Sequence, residues 1–182
     1  MLVLVLALGL AAALALMAML LWSIAFPPRR LWPPMESTPL NRMTVWALTV
    51  VIFASTGVLA VLDWNASGWP AALRWGLGGT LIVLGNVLAW RGACRMGMQA
   101  TSGAEGKLIT DGMYRFSRNP QYVADMGIFV GATILSASPA VLMVAAAGIA
   151  VLLVAPLAEE PWLAARHGEA WARYSRRTRR YF

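Results

Sequence analysis

A chain of 182 residues that is 59% hydrophobic and only 13% charged cannot hide its apolar surface in one water-soluble core, so a bilayer must take part of it. The single cysteine, Cys94, and the single histidine, His167, exclude a disulfide framework and the usual zinc clusters. The formal charge of +7 admits nucleic acid or anionic lipid as a partner, and the placement of the arginines decides between them.

In chain order, runs of about 20 apolar residues predict membrane spans at Leu2 to Phe26, Thr44 to Leu62 and Ala72 to Trp90. A cleaved signal peptide is disfavoured for the first, because its start carries no basic side chain and its apolar core is too long. After a polar stretch from Arg91 to Asn119, the segment Pro120 to Pro156 is long enough to cross twice, with "SASP" (Ser136 to Pro139) as the turn. The expected fold is therefore all-α and polytopic, with about five transmembrane helices and a cytoplasmic C-terminal helix. Residues 1–90 hold three helices with connectors. Residues 91–182 hold a cytoplasmic loop, a helical hairpin and a basic amphipathic tail.

Fourteen of the fifteen basic residues fall in loop one, loop three or the tail; Arg74 is the exception. That alternation predicts an N-terminus outside and a C-terminus in the cytoplasm. The basic excess then reads as a topology signal and an anionic-lipid contact, and no nucleic acid partner is expected.

Local signals add detail. "FPPRRLWPP" (Phe26 to Pro34) predicts a stiff connector along the membrane surface. "DWNASGWP" (Asp63 to Pro70) reads as an outer turn anchored by interfacial tryptophans. In "GIFVG", Gly127 and Gly131 lie four apart and predict close approach of a neighbouring helix.

The cytoplasmic cluster carries the chemistry. Asn119 followed by Pro120 predicts a capped helix start, whose free amides, with Arg118, suit a carboxylate or phosphate. Across the hairpin, Glu159 and Glu160 return to the same depth, where the helix dipole and their mutual repulsion require a cation. That cation is either a ligand group or an arginine such as Arg118 or one from the tail. A zwitterion with a flat ring fits these parts, and S-adenosylmethionine is one such molecule. Asp125, between one and two turns into the fourth span, is a costly ionisable group there and a candidate proton acceptor, or else an interfacial aspartate.

"GKLITDGMYRFSRNPQY" and "EEPWLAARHGEAWARY" (Glu159 to Tyr174) together resemble the isoprenylcysteine carboxyl methyltransferase and phospholipid methyltransferase family of integral membrane enzymes. The resemblance covers about the last half of the chain. It implies a multi-span helical protein that binds S-adenosyl-L-methionine on the cytoplasmic side and methylates a lipophilic substrate: a prenylated carboxylate, a phospholipid amine or a thiol. Carried over by position, the cofactor contacts are Gln99, Gly106, Lys107, Leu108, Ile109, Tyr114, Asn119, Pro120, Gln121, Tyr122 and Glu159. Arg118, Asp125 and Glu160 are the candidate catalytic residues. Many members have histidine where this chain has Gly106 and Asn119, which leaves backbone contacts at those positions. The carboxyl methyltransferase branch has an arginine where this chain has Ala155, which argues against a prenylcysteine carboxylate unless another arginine substitutes. Membrane sterol reductases share a similar C-terminal pattern, so an NADPH-dependent reductase is the alternative enzyme, and a non-enzymatic small helical membrane protein is the third reading.

Overall fold

A computed structural model describes residues 1–34, 39–96 and 108–181. Gln99, Gly106 and Lys107 lie outside the described residues.

The described chain is helical: α1 (Leu2–Ala25), α2 (Pro39–Leu62), α3 (a turn Ala71–Leu73, a π-helical stretch Arg74–Gly79 and Thr80–Met96), α4 (Pro120–Ser136) and α5 (Pro139–Arg177). Four of these, Leu2–Ala25, Leu40–Leu62, Ala71–Gly92 and Pro139–Arg177, are long and apolar enough to cross a membrane. The fifth, α4, has 17 residues, about 26 Å of helix against about 30 Å of hydrocarbon. The expectation of an all-α polytopic protein with about five apolar helices holds.

Helices α1, α2, α4 and α5 pack together, and α3 lies outside them against α4. Lipid removes most of the hydrophobic drive between helices, so shape and small residues decide these contacts. Phe129 of α4 stacks on Phe53 of α2, with ring centroids 4.5 Å apart, and reaches into space left by Gly148 of α5. Between α3 and α4 the backbones themselves touch, since a Cβ on Gly131 would lie 2.8 Å from the Gly78 carbonyl oxygen and 2.9 Å from the Ile82 nitrogen. Only one glycine of the "GIFVG" pair serves this purpose. Gly127 has open space around it, because its side of α4 faces no neighbour at that level.

Contacts at the two ends show how the chain alternates. At one end, the loop after α2 and the start of α3 meet the α4–α5 turn. The Asn65 amide donates to the Ser136 carbonyl at 2.6 Å, the Ser67 amide to Ala137 at 3.0 Å, and the Arg74 Nε to Leu135 at 2.8 Å. The Ser138 hydroxyl donates to Asp63, while its oxygen caps α5 by accepting from the Val141 amide at 3.1 Å. At the other end, the first connector, the start of α4, the far part of α5 and the tail converge. That second end holds most of the arginines.

The proline-rich connector is exposed from Phe26 to Arg29 and at Leu31, as expected, but its end turns inward: Trp32 is 9% exposed, and its backbone amide and that of Leu31 each donate to the Ser23 hydroxyl oxygen at 3.0 Å. Ser23, the one hydroxyl in α1, donates in turn to the Met19 carbonyl at 2.6 Å. The expected C-terminal helix is present: α5 runs on through Pro156 and Pro161 and breaks at Gly168, with φ 49° and ψ −125°, which sets off the last helical residues up to Arg177. That backbone geometry suits glycine alone. The break turns the last helical residues back over the α4 start.

Candidate functional site

The converging end is built on the two adjacent carboxylates of α5, which point to different partners. Glu159 Oε1 accepts from the Tyr122 hydroxyl at 2.6 Å and from the Trp32 indole Nε1 at 2.8 Å. Three separate elements therefore fix one side chain: α5, the second residue after Pro120 in α4, and the first connector. No opposing cation bonds to Glu159 among the described residues.

Glu160 turns the other way and takes the arginines. Its Oε1 accepts from Arg118 Nε at 3.1 Å and Nη2 at 2.8 Å, and Arg180 reaches Oε1 through Nε at 2.9 Å and Oε2 through Nη2 at 2.7 Å. Hydrogen bonding to Glu160 raises the Arg180 pKa further above its ordinary value. Arg118 Nη1 also donates to the carbonyls of Ser175 at 2.7 Å and Thr178 at 3.0 Å. Such forked, charge-assisted bonds are strong and directional, so Arg118 ties the α4 start to both α5 and the tail. Of the two cations considered for the glutamate pair, arginine serves Glu160, and the other carboxylate faces neutral donors.

Asn119 differs from its expected role. Its side chain makes no cap on α4; the amide Nδ2 donates instead to the Arg180 carbonyl at 3.0 Å, and its backbone amide donates to the Ser117 hydroxyl at 3.1 Å. The returning tail supplies a competing acceptor, which sequence spacing does not reveal. Pro120 still opens the helix, leaving the Gln121 and Tyr122 amides without intrahelical acceptors.

Beside the carboxylates lies a small aromatic core. Tyr114, Trp171 and Tyr174 are buried together, with Leu108, Ile109 and Leu163 packed against them. The Tyr174 hydroxyl donates to the Tyr114 carbonyl at 2.8 Å, and the Tyr114 hydroxyl approaches Gln121 Oε1 at 3.5 Å. Burial, reinforced by the nearby Tyr174 and Glu159, pushes the Tyr114 phenol well above its ordinary range, so it remains a donor at any physiological pH. Asp125 is half-buried one turn beyond Gln121, with no hydrogen-bond partner among the described residues.

The structure thus brings Leu108, Ile109, Tyr114, Arg118, Asn119, Pro120, Gln121, Tyr122, Glu159 and Glu160 to one end of the bundle. Sequence reasoning missed Trp32 and the Trp171–Tyr174 pair, and it expected a tail arginine at the glutamates without singling out Arg180. The only early signal for Trp32 was a lone serine in an otherwise apolar first helix, placed to receive a returning connector.

Comparison with known proteins bears on this end of the molecule. The chain is similar to the cobalt-zinc-cadmium resistance protein CzcN of Cupriavidus metallidurans, with 30% identity over 142 residues, or 78% of this chain and 63% of that relative. The chain therefore spans less than two thirds of that relative's length. No solved structure matches it. The phospholipid methyltransferase family profile matches residues 73–170, which run from the start of α3 to beyond the paired glutamates. With more than half of its length matched and an all-helical, polytopic fold, the chain belongs to the phospholipid methyltransferase family.

Proposed function

We propose that the protein is an S-adenosylmethionine-dependent methyltransferase acting on a lipophilic acceptor at the cytoplasmic face, with the arginine-rich end in the cytoplasm and the N-terminus outside. The observation that carries this reading is Glu159. It is a carboxylate clamped on one oxygen by Tyr122 and Trp32, with no arginine of its own, beside an aromatic core and a helix start. That set suits a ligand ammonium, a flat heteroaromatic ring and a carboxylate.

When bound, the donor supplies an electrophilic methyl on a cationic sulfur. The protein's part is alignment and exclusion of water. Glu159 holds the ammonium. The amides of Gln121 and Tyr122 face the donor carboxylate. Leu108, Ile109 and Tyr114 line the ring, with Gln99, Gly106 and Lys107 completing the contacts. Arg118 and Glu160, expected from sequence as catalytic, serve in this reading to fix the α4 start against the tail. Asp125 accepts the proton of an amine acceptor or holds its ammonium; a carboxylate or thiolate acceptor needs no base in the transfer step.

Two measurements test the reading. S-adenosylhomocysteine should raise the melting temperature of the purified protein and NADPH should not; the reverse result favours a reductase. Incubation with methyl-labelled donor and total membrane lipid should yield a labelled lipid, and absence of both stabilisation and label overturns the proposal.

A further inference from the structure

Outside the site just described, a hollow open to the surface lies between the end of α3 and the turn Gly112–Arg115. It measures about 770 Å³ and is lined by Leu88, Arg91, Cys94, Met113, Arg115 and Phe116. Arg115 also lines a smaller hollow of about 330 Å³ with Thr110, Arg177 and Thr178. The first is mainly apolar in its residues and the second is polar and cationic, and one arginine borders both.

We propose that this pair of hollows binds a bilayer lipid whose headgroup is an anionic phosphate without a cationic substituent. The two arginines of the carboxylate site are both committed to Glu160. Arg91, Arg115 and Arg177 are different: none forms an ion pair among the described residues. Arg115 borders both hollows, with Arg91 on the lining of one and Arg177 on the lining of the other, so exposed guanidinium groups flank each opening, and their planar fork of donors matches phosphate oxygens. The apolar part calls for hydrocarbon. Phe116 is 77% exposed and Leu88 40% exposed, so both present uncovered carbon beside the arginines. A soluble phosphate satisfies only the charge, a neutral headgroup only the carbon, and a phosphocholine brings a cation against three arginines.

This lipid site is separate from the donor site. Within the short turn that divides them, Tyr114 is buried against Trp171 and Tyr174, whereas its neighbours Met113 and Arg115 line the hollow. The proposal therefore stands or falls independently of methyl transfer.

Cys94 provides the test, being the only cysteine in the chain, exposed, and part of the lining. The full-length protein in dodecyl maltoside micelles is treated with a maleimide, and the rate of Cys94 labelling is followed with added dodecyl phosphate, dodecylphosphocholine or inorganic phosphate. Dodecyl phosphate should slow labelling several-fold in a saturable way, and the other two should not. Arg91→Gln and Arg115→Gln should each raise the half-protecting concentration about tenfold, while Arg115→Lys, which keeps the charge, should retain part of the protection. Melting temperature without ligand, expected to be unchanged in all three, shows that the variants are folded. Equal protection by dodecylphosphocholine, equal protection by inorganic phosphate, or full protection of the folded glutamine variants would each overturn the proposal.

Discussion

Replacing Glu159 by glutamine separates the charge of this residue from its shape. Trp32 and Tyr122 both donate to the same oxygen, and a glutamine carbonyl at that place accepts both bonds. The amide nitrogen then stands where the second carboxylate oxygen was. Helix and connector should hold, and the melting temperature should stay close to wild type. What disappears is the negative charge that the proposed function sets against a ligand ammonium. A hydrogen bond between charged groups contributes about 1.5–3 kcal/mol, so the Kd for S-adenosylhomocysteine should rise about 10- to 150-fold. That ligand carries the ammonium but no transferable methyl, so titration calorimetry reads binding alone. An unchanged Kd in a variant of normal stability would refute the assignment of Glu159 to the ammonium. A large drop in melting temperature would instead show that glutamine does not satisfy both donors.

Five further substitutions probe other parts of the fold and the site. Trp32→Phe removes one of the two donors to Glu159, and affinity for S-adenosylhomocysteine should weaken about 3- to 10-fold, an effect absent if the indole only fills space. Glu160→Gln leaves Arg118 and Arg180 without their carboxylate; because Arg180 is 37% exposed the loss is moderated by solvent, and a destabilisation of about 2–3 kcal/mol is expected in thermal or denaturant unfolding. Gly131→Ala forces a methyl onto the Gly78 carbonyl and should cost about 1–3 kcal/mol, whereas Gly127→Ala, with nothing within 4 Å, should be neutral or slightly stabilising; equal effects would show that α3 and α4 do not meet there. Asp125→Asn should lower turnover more than donor affinity, and unchanged kinetics in a methylation assay would remove Asp125 from the chemistry.

Much of this architecture is legible in the sequence because a bilayer imposes a length rule on apolar runs. The five helices and the hairpin turn follow from that rule, and the return of α5 to the depth of Arg118 follows from counting residues on two antiparallel helices. The partners of individual side chains do not follow. Spacing alone leaves Arg118 and the glutamate pair with several possible neighbours, and the division of labour between Glu159 and Glu160 depends on which way each leaves the helix. Asn119 had the right identity for a cap, but a backbone carbonyl from residue 180 competed for its amide. That carbonyl arrives only because Gly168 breaks α5, and a lone glycine near the end of a helix does not announce the direction of the chain beyond it. Trp32 was hidden for a related reason: prolines mark a connector as rigid without saying where it is held.

Trp32 and Arg180 both lie outside residues 73–170, one on each side. Each of the two glutamates inside that segment thus borrows a donor from beyond it. A shortened polypeptide carrying residues 73–170 alone would keep the sequence signature of its family while losing the indole that braces one acid and one of the two guanidinium groups that brace the other. Grafting foreign membrane anchors in place of the first 34 residues would carry the same penalty on the Glu159 side, however well the hybrid inserted.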